Sequence, residues 1–157
     1  MSSFARAARR IVTECPQIRV RQVSRLLTRV YDEVLRPVGI GSSQLSVLVA
    51  IAMFGEAGAR MGALARVLVM ERTTLTRNLG PLEKAGWVRV GRSRDDARAR
   101  VVMLTPAGER TIEAAHPLWE EAQRRIRDVV GAGKMASLKE QLGDIVALAP
   151  KLVAPEK

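Results

Sequence analysis

The chain has 157 residues, 47% of them apolar but only 3% aromatic, which excludes a disordered polymer and favours a helical fold with an aliphatic core. One cysteine and one histidine exclude an intrachain disulfide and a thiolate zinc site, and no metal or cofactor is expected. The formal charge of +10 is concentrated in residues 1–36 (net +5) and 60–100 (net +6), while residues 101–157 are neutral overall; a polyanion partner fits this distribution, and so does a solvated basic surface.

Residues 1–15 read as irregular or weakly helical, and Pro16 is placed to open a helix. From Ile18 to Leu35 the apolar residues Ile18, Val20, Val23, Leu26, Leu27, Val30, Val34 and Leu35 follow steps of three and four, the stripe of an amphipathic helix that Pro37 and Gly39 end. Ser42 or Ser43 can cap the next helix, which reaches Phe54, is apolar on most sides and belongs in the middle of the domain. Met61–Met70 predicts a short helix with Leu64, Ala65, Val67 and Leu68 inward, followed by a turn at Val69–Glu71. A longer helix spans about 72–85, with Leu75, Leu79 and Leu82 as its buried face and Gly86 as its terminator. Trp87–Val90 and Arg100–Leu104 read as the two strands of a hairpin around the charged turn Gly91–Ala99. Thr105 and Pro106 open a helix running to about Val130, which Pro117 is expected to kink or split, and a last amphipathic helix covers 134–148.

The order helix, helix, turn, helix, hairpin is that of a winged helix-turn-helix. The expected fold is mainly α with a small β-hairpin wing, flanked by N- and C-terminal dimerisation helices. In such a module the second helix enters the major groove. Opposite its leucines lie Thr73, Arg77, Gly80 and Lys84, flanked by Thr74, Thr76 and Pro81. Thr73, Thr74 and Thr76 can bond phosphates or bases, and β-branched residues are an unusual choice for a merely solvated helix face. Arg77 can reach a guanine in bidentate fashion, and Arg72, nearer the helix edge, suits a phosphate. Gly80 and Pro81 are expected to bend the helix beyond its groove-facing half. The hairpin turn carries Arg94 and Arg98, suited to the negative potential of a narrow minor groove, and Asp96 can brace Arg98 by a charge-assisted bond. A solvated charged loop is the alternative reading of the same turn.

Several motifs then converge. Glu71-Arg72-Thr73-Thr74-Leu75-Thr76-Arg77-Asn78-Leu79, Leu82-Glu83-Lys84-Ala85-Gly86-Trp87-Val88, Asp96-Ala97-Arg98 and Leu104-Thr105-Pro106-Ala107-Gly108 together resemble the MarR family (multiple antibiotic resistance regulators), and the match extends from about Ile18 to Leu148. The resemblance implies one domain over 1–157, with residues 18–37 and 106–148 as the dimerisation region. Residues 40–105 form the winged module, with the recognition helix at 72–85 and the wing at 87–104. It implies a homodimer on a palindromic double-stranded DNA operator, with Arg72, Thr73, Thr74 and Arg77 at the major groove and Arg98, supported by Asp96, in the minor groove. It also implies a crevice for a small, often aromatic effector that releases DNA, and repression as the usual outcome. Two positions depart from the family pattern: Val69 stands where glycine is common in the turn, and Glu71 where a short side-chain cap is common.

His116 and Trp119, on the long helix, are candidates for the crevice wall, with dimer packing as the alternative. Cys15 is a candidate redox residue, since some relatives sense hydroperoxides through an N-terminal cysteine supported by tyrosines; here Tyr31 is the one tyrosine, and an inert thiol is the alternative. The rival functions are thus a peroxide-sensing regulator acting through Cys15 and a non-specific architectural DNA-binding protein. No catalytic constellation is present, so an enzyme is not expected. With no membrane-length apolar run and no signal peptide, a cytoplasmic setting without membrane contact is expected.

Overall fold

Alanines and arginines are strong helix formers, and they make the N-terminus more regular than expected. In the computed structural model, which describes residues 2–92 and 99–152, α1 spans Ser3–Glu14 and is capped by the Ser2 hydroxyl, which accepts from the Ala5 N–H at 3.2 Å. Pro16 opens α2 (Pro16–Leu35), where its missing N–H costs nothing. A 3-10 turn at Arg36–Val38 and Gly39, with φ of 72°, end it.

α3 (Ser42–Ala52) is capped differently from the serine cap expected. The Ser42 N–H donates to Oδ1 of Asp32 at 2.7 Å, and the Gly41 N–H donates to Oε1 of Gln44 at 2.9 Å. A carboxylate is a stronger acceptor than a hydroxyl and complements the positive helix end. The Asp32 bond therefore caps α3 and ties it to α2. α3 occupies the middle of the core as its composition predicts, with Leu48 at 0% and Val47 and Ile51 at 1% exposure, although Val49 and Met53 reach solvent.

The remaining elements follow in chain order: β1 (Ala59–Arg60), α4 (Met61–Val67), α5 (Arg72–Lys84), β2 (Val88–Arg92), β3 (Arg100–Leu104), α6 (Pro106–Val130), α7 (Ala132–Ala147) and α8 (Ala149–Leu152). β1 is too short to leave a pattern in the sequence. It adds an edge strand to the hairpin, giving the antiparallel order β1-β3-β2, with Ala59 opposite Val102 and Val88 opposite Leu104. Val67 is a correction to the inward face read for α4. Leu64 and Ala65 are buried and Leu68 is half-buried, but Val67 lies about 100° from the centre of that face and is exposed. Pro117 does not split α6, which continues to Val130 and buries Ala115, Ala122 and Ile126 on both sides of it.

The core gathers α2, α3, α4, α5, the sheet and the first half of α6 around Leu35, Leu48, Leu64, Leu75 and Leu82. Each of these fully buried leucines contributes about 1.5–3 kcal/mol. Farther along, Nη1 of Arg125 on α6 meets Oε1 of Glu33 on α2 at 3.5 Å, while Glu121 accepts from both Arg124 and Arg125. α7 buries none of its residues, and Val20, Val23 and Leu26 of α2 remain exposed. Among the described residues, no single helix is long and apolar enough to cross a membrane.

Candidate nucleic-acid interface and effector cavity

The turn between α4 and α5 is closed by the Val69 N–H donating to the Arg66 carbonyl (3.1 Å) and the Met70 N–H donating to the Ala65 carbonyl (2.9 Å). Closing it this tightly puts Val69 at φ 50°, the left-handed region that disfavours a branched side chain. Nδ2 of Asn78 reaches Sδ of Met70 at 3.6 Å and ties the turn to α5. Glu71 is the N-cap residue of α5, and its side chain makes no capping bond, in keeping with glutamate's poor fit to that position.

Leu75, Leu79 and Leu82 anchor α5 in the core, and this fixes what its other side presents. Thr73, Thr74, Thr76 and Arg77 are all exposed. The Thr76 hydroxyl donates to the Arg72 carbonyl at 2.9 Å, which leaves its oxygen lone pair and methyl group facing outward. Among the described residues, neither Arg72 nor Arg77 has a carboxylate partner. The arrangement is a short polar and cationic ridge backed by a rigid apolar face.

The base of the wing is pinned to α6. The Thr105 N–H donates to the Trp87 carbonyl at 3.0 Å. Its hydroxyl donates to the Gly86 carbonyl at 2.6 Å and accepts from the Gly108 N–H at 3.1 Å. A Cβ on Gly108 would run into the Trp87 carbonyl oxygen. The Leu-Thr-x-x-Gly pattern is therefore a junction: threonine caps α6 while holding the hairpin, and glycine makes room for the hairpin's backbone. Arg94, Asp96 and Arg98 lie outside the described residues.

A cavity of about 790 Å³ lies between α2, α3 and α6, lined by Tyr31, Leu35, Leu45, Val49, Ile112, His116 and Trp119 together with Ser42 and Ser46. The imidazole of His116 stacks on Trp119, with ring centroids 5.9 Å apart and planes inclined by 27°. Burial pushes the Tyr31 hydroxyl above its ordinary pKa, and the nearby Arg127 charge opposes this. Tyr31 thus stays a neutral donor at physiological pH. A second cavity of about 500 Å³ shares Tyr31, Ser42 and Ser46 and extends toward Arg19, Leu138 and Leu142. The structure places His116 and Trp119 together on the first cavity's wall, and adds Tyr31 and Ser46 to it.

Cys15 sits at the junction of α1 and α2, half-buried, with its N–H donating to the Ile11 carbonyl at 3.1 Å. Tyr31 is sixteen residues farther along, about 24 Å by helix rise, beyond contact with the thiol in the same chain.

Comparison with known proteins places these features in a family. A model of the MarR family matches residues 38–99. An uncharacterized HTH-type transcriptional regulator of Bacillus subtilis (strain 168), YwoH, is 34% identical over 94 residues, which are 60% of this chain and 66% of that protein's length. The M. tuberculosis transcriptional regulator MosR, solved in complex with DNA, superposes with a TM-score of 0.77 at 31% identity, covering 90% of this chain and 100% of that one. A mutant of MarR from E. coli complexed with operator DNA gives a TM-score of 0.76 at 27% identity, with 86% of this chain and 96% of the other covered.

Proposed function

This chain belongs to the MarR family of DNA-binding transcriptional regulators, and on that premise we propose that it works as a two-fold dimer on a palindromic operator. Its action is repression, relieved by a small aromatic ligand. The observation that carries the DNA reading is the exposed α5 ridge of Thr73, Thr74 and Arg77, held rigidly by three buried leucines on its opposite face. Arg77 reads a guanine edge and Arg72 holds a phosphate. Arg94 and Arg98, the latter braced by Asp96, engage the minor groove.

The dimer reading is supported by the apolar residues left in solvent. Val20, Val23 and Leu26 on α2, Val129 and Val130 on α6, Ile145 and Val146 on α7 and Leu148 at its C-terminal cap are all exposed in the single chain. Two flanking helical regions of this kind call for a partner, and a second copy sets two α5 ridges at a half-site spacing of about 34–36 Å. The ligand reading is supported by the Tyr31–His116–Trp119 cavity, whose apolar walls suit a ring and whose hydroxyls and imidazole suit a polar head.

Selection from a random-sequence duplex pool, followed by anisotropy titrations at fixed salt, tests this function. A specific regulator prefers the selected duplex to scrambled DNA by about 10³ or more. Arg77→Ala relaxes one base position per half-site at a cost of about 1–3 kcal/mol, whereas Arg98→Ala lowers affinity evenly across sequences. A wild-type protein with no sequence preference would point to an architectural DNA-binding protein instead.

A further inference from the structure

If α5 lies in the major groove and the wing in the adjoining minor groove, one sugar-phosphate strand separates the two and must pass between α5 and the sheet. The chain has a groove at that place. It measures about 640 Å³ and is lined by Arg60, Arg72, Thr76, Gly80, Glu83 and Arg100. Three elements distant in sequence deliver its cations. β1 brings Arg60 beside Val101, β3 begins at Arg100, and α5 begins at Arg72.

The side chains are set for an anion. Arg72 leans back over the first turn of α4, so that a Cβ built on Gly62 would lie 3.3 Å from its Nη2. This aims the guanidinium along the groove and away from the base-reading ridge. Arg100 stands directly across from Arg92 in the hairpin register, and like charges opposed on neighbouring strands repel. None of Arg60, Arg72, Arg92 and Arg100 has an ion-pair partner among the described residues. Among the described residues Glu83 is the one carboxylate on the groove, three helical turns from Arg72 and about 16 Å along the axis. The anion therefore belongs at the Arg72 end.

We propose that this groove is a phosphate site: Arg60, Arg72 and Arg100 grip a backbone phosphate of the strand running between the two DNA grooves. The site rests on the docking proposed above and extends it. It assigns DNA contacts to Arg60 and Arg100, and it turns Arg72 from the edge of the reading helix into a link between helix and wing. A phosphate held there carries no sequence information but fixes the angle between α5 and the wing on the duplex.

The test uses the full chain and the duplex that the wild-type protein selects from a random pool, titrated by anisotropy across a range of salt. Each phosphate contact contributes about 0.9 to the slope of log K against log salt. Arg60→Ala and Arg100→Ala are each expected to reduce that slope, by at most about one unit per subunit. They also lower affinity by about tenfold on selected and scrambled duplexes alike. Arg60→Lys, which keeps the charge, retains most of the slope. Methylphosphonate at the critical backbone position weakens the wild-type protein and weakens the Arg60→Ala variant by less. Both arginines are exposed, so unchanged circular dichroism and urea midpoints separate a lost contact from a lost fold. If the wild-type protein binds the duplex and both alanine variants bind it with the same affinity and salt slope, the phosphate site is wrong and the docking stands. If the wild-type protein binds no duplex, both are wrong. Inorganic phosphate that binds through Arg60 without displacing the duplex at constant ionic strength would assign the groove to a free anion and overturn the DNA contact.

Discussion

Val69 offers a direct measure of strain in the helix-turn-helix. Its φ of 50° costs an L-residue about 1–2 kcal/mol, with a branched Cβ toward the upper end. The side chain is 55% exposed, so little buried surface is lost on its removal. Val69→Gly removes the steric cost but adds chain entropy to the unfolded state, about 0.5–1 kcal/mol. The difference is a net stabilisation of about 1–1.5 kcal/mol, or about 2–6 °C in Tm for a chain of this size. The assay is urea unfolding at fixed protein concentration, because any dimer makes stability concentration-dependent. The midpoint should rise with an unchanged slope. Val69→Ala is the control: it keeps the Cβ and should recover little. A glycine variant with a midpoint at or below that of the wild-type protein would refute the strain argument.

Further outcomes follow from the same structure. Gly108→Ala forces a Cβ against the Trp87 carbonyl and should destabilise the chain by about 2 kcal/mol or more, read as a fall in urea midpoint. Trp119→Ala removes one wall of the Tyr31–His116 cavity; a thermal-shift screen of aromatic acids should show hits on the wild-type protein that weaken on this variant, while its DNA affinity without ligand is retained. The Glu121 carboxyl is held below its ordinary pKa by hydrogen bonds from Arg125 and Arg124. A lowered folded-state pKa contributes stability above the ordinary carboxylate value and loses it as pH falls through the folded value. Glu121→Gln should therefore flatten the decline in urea midpoint as pH falls below the ordinary carboxylate range. Cys15→Ser should leave DNA binding with and without peroxide unchanged, since Tyr31 of the same chain lies beyond contact with the thiol; a peroxide response that disappears in this variant would establish a sensing thiol.

The parts that sequence made legible are those governed by short-range rules. The Leu75, Leu79 and Leu82 spacing specified which side of α5 is buried, and so placed Thr73, Thr74 and Arg77 outward. Alternation at Val88–Val90 and the apolar run Val101–Leu104, with Gly86 at the preceding helix end, marked the hairpin. What stayed hidden depends on contacts between distant segments. β1 has two residues, too few for a period, and it exists because Val101 and Val102 offer it an edge. Arg60 reaches the α5 groove only through that pairing. Ser42 looked like a cap, but Asp32 on the preceding helix is the better acceptor, and nothing local reveals its approach. The cavity assembles Tyr31, Ser46 and His116 from three helices, so only one of those three stood out in the linear chain.

The Thr105–Gly108 junction also makes the wing a cantilever. Its root is clamped to the first turn of α6 through Gly86, Trp87 and Thr105. Ile112 and His116 stand only four and eight residues beyond Gly108 on the same rod, one and two turns along it. A strand of five residues extends about 17 Å from that root. Tilting the rod by about 5° would move the far end by about 1.5 Å, enough to take a guanidinium out of hydrogen-bond range. The lever ratio between the cavity wall and the wing's far end is thus set by one threonine and one glycine, far from any base.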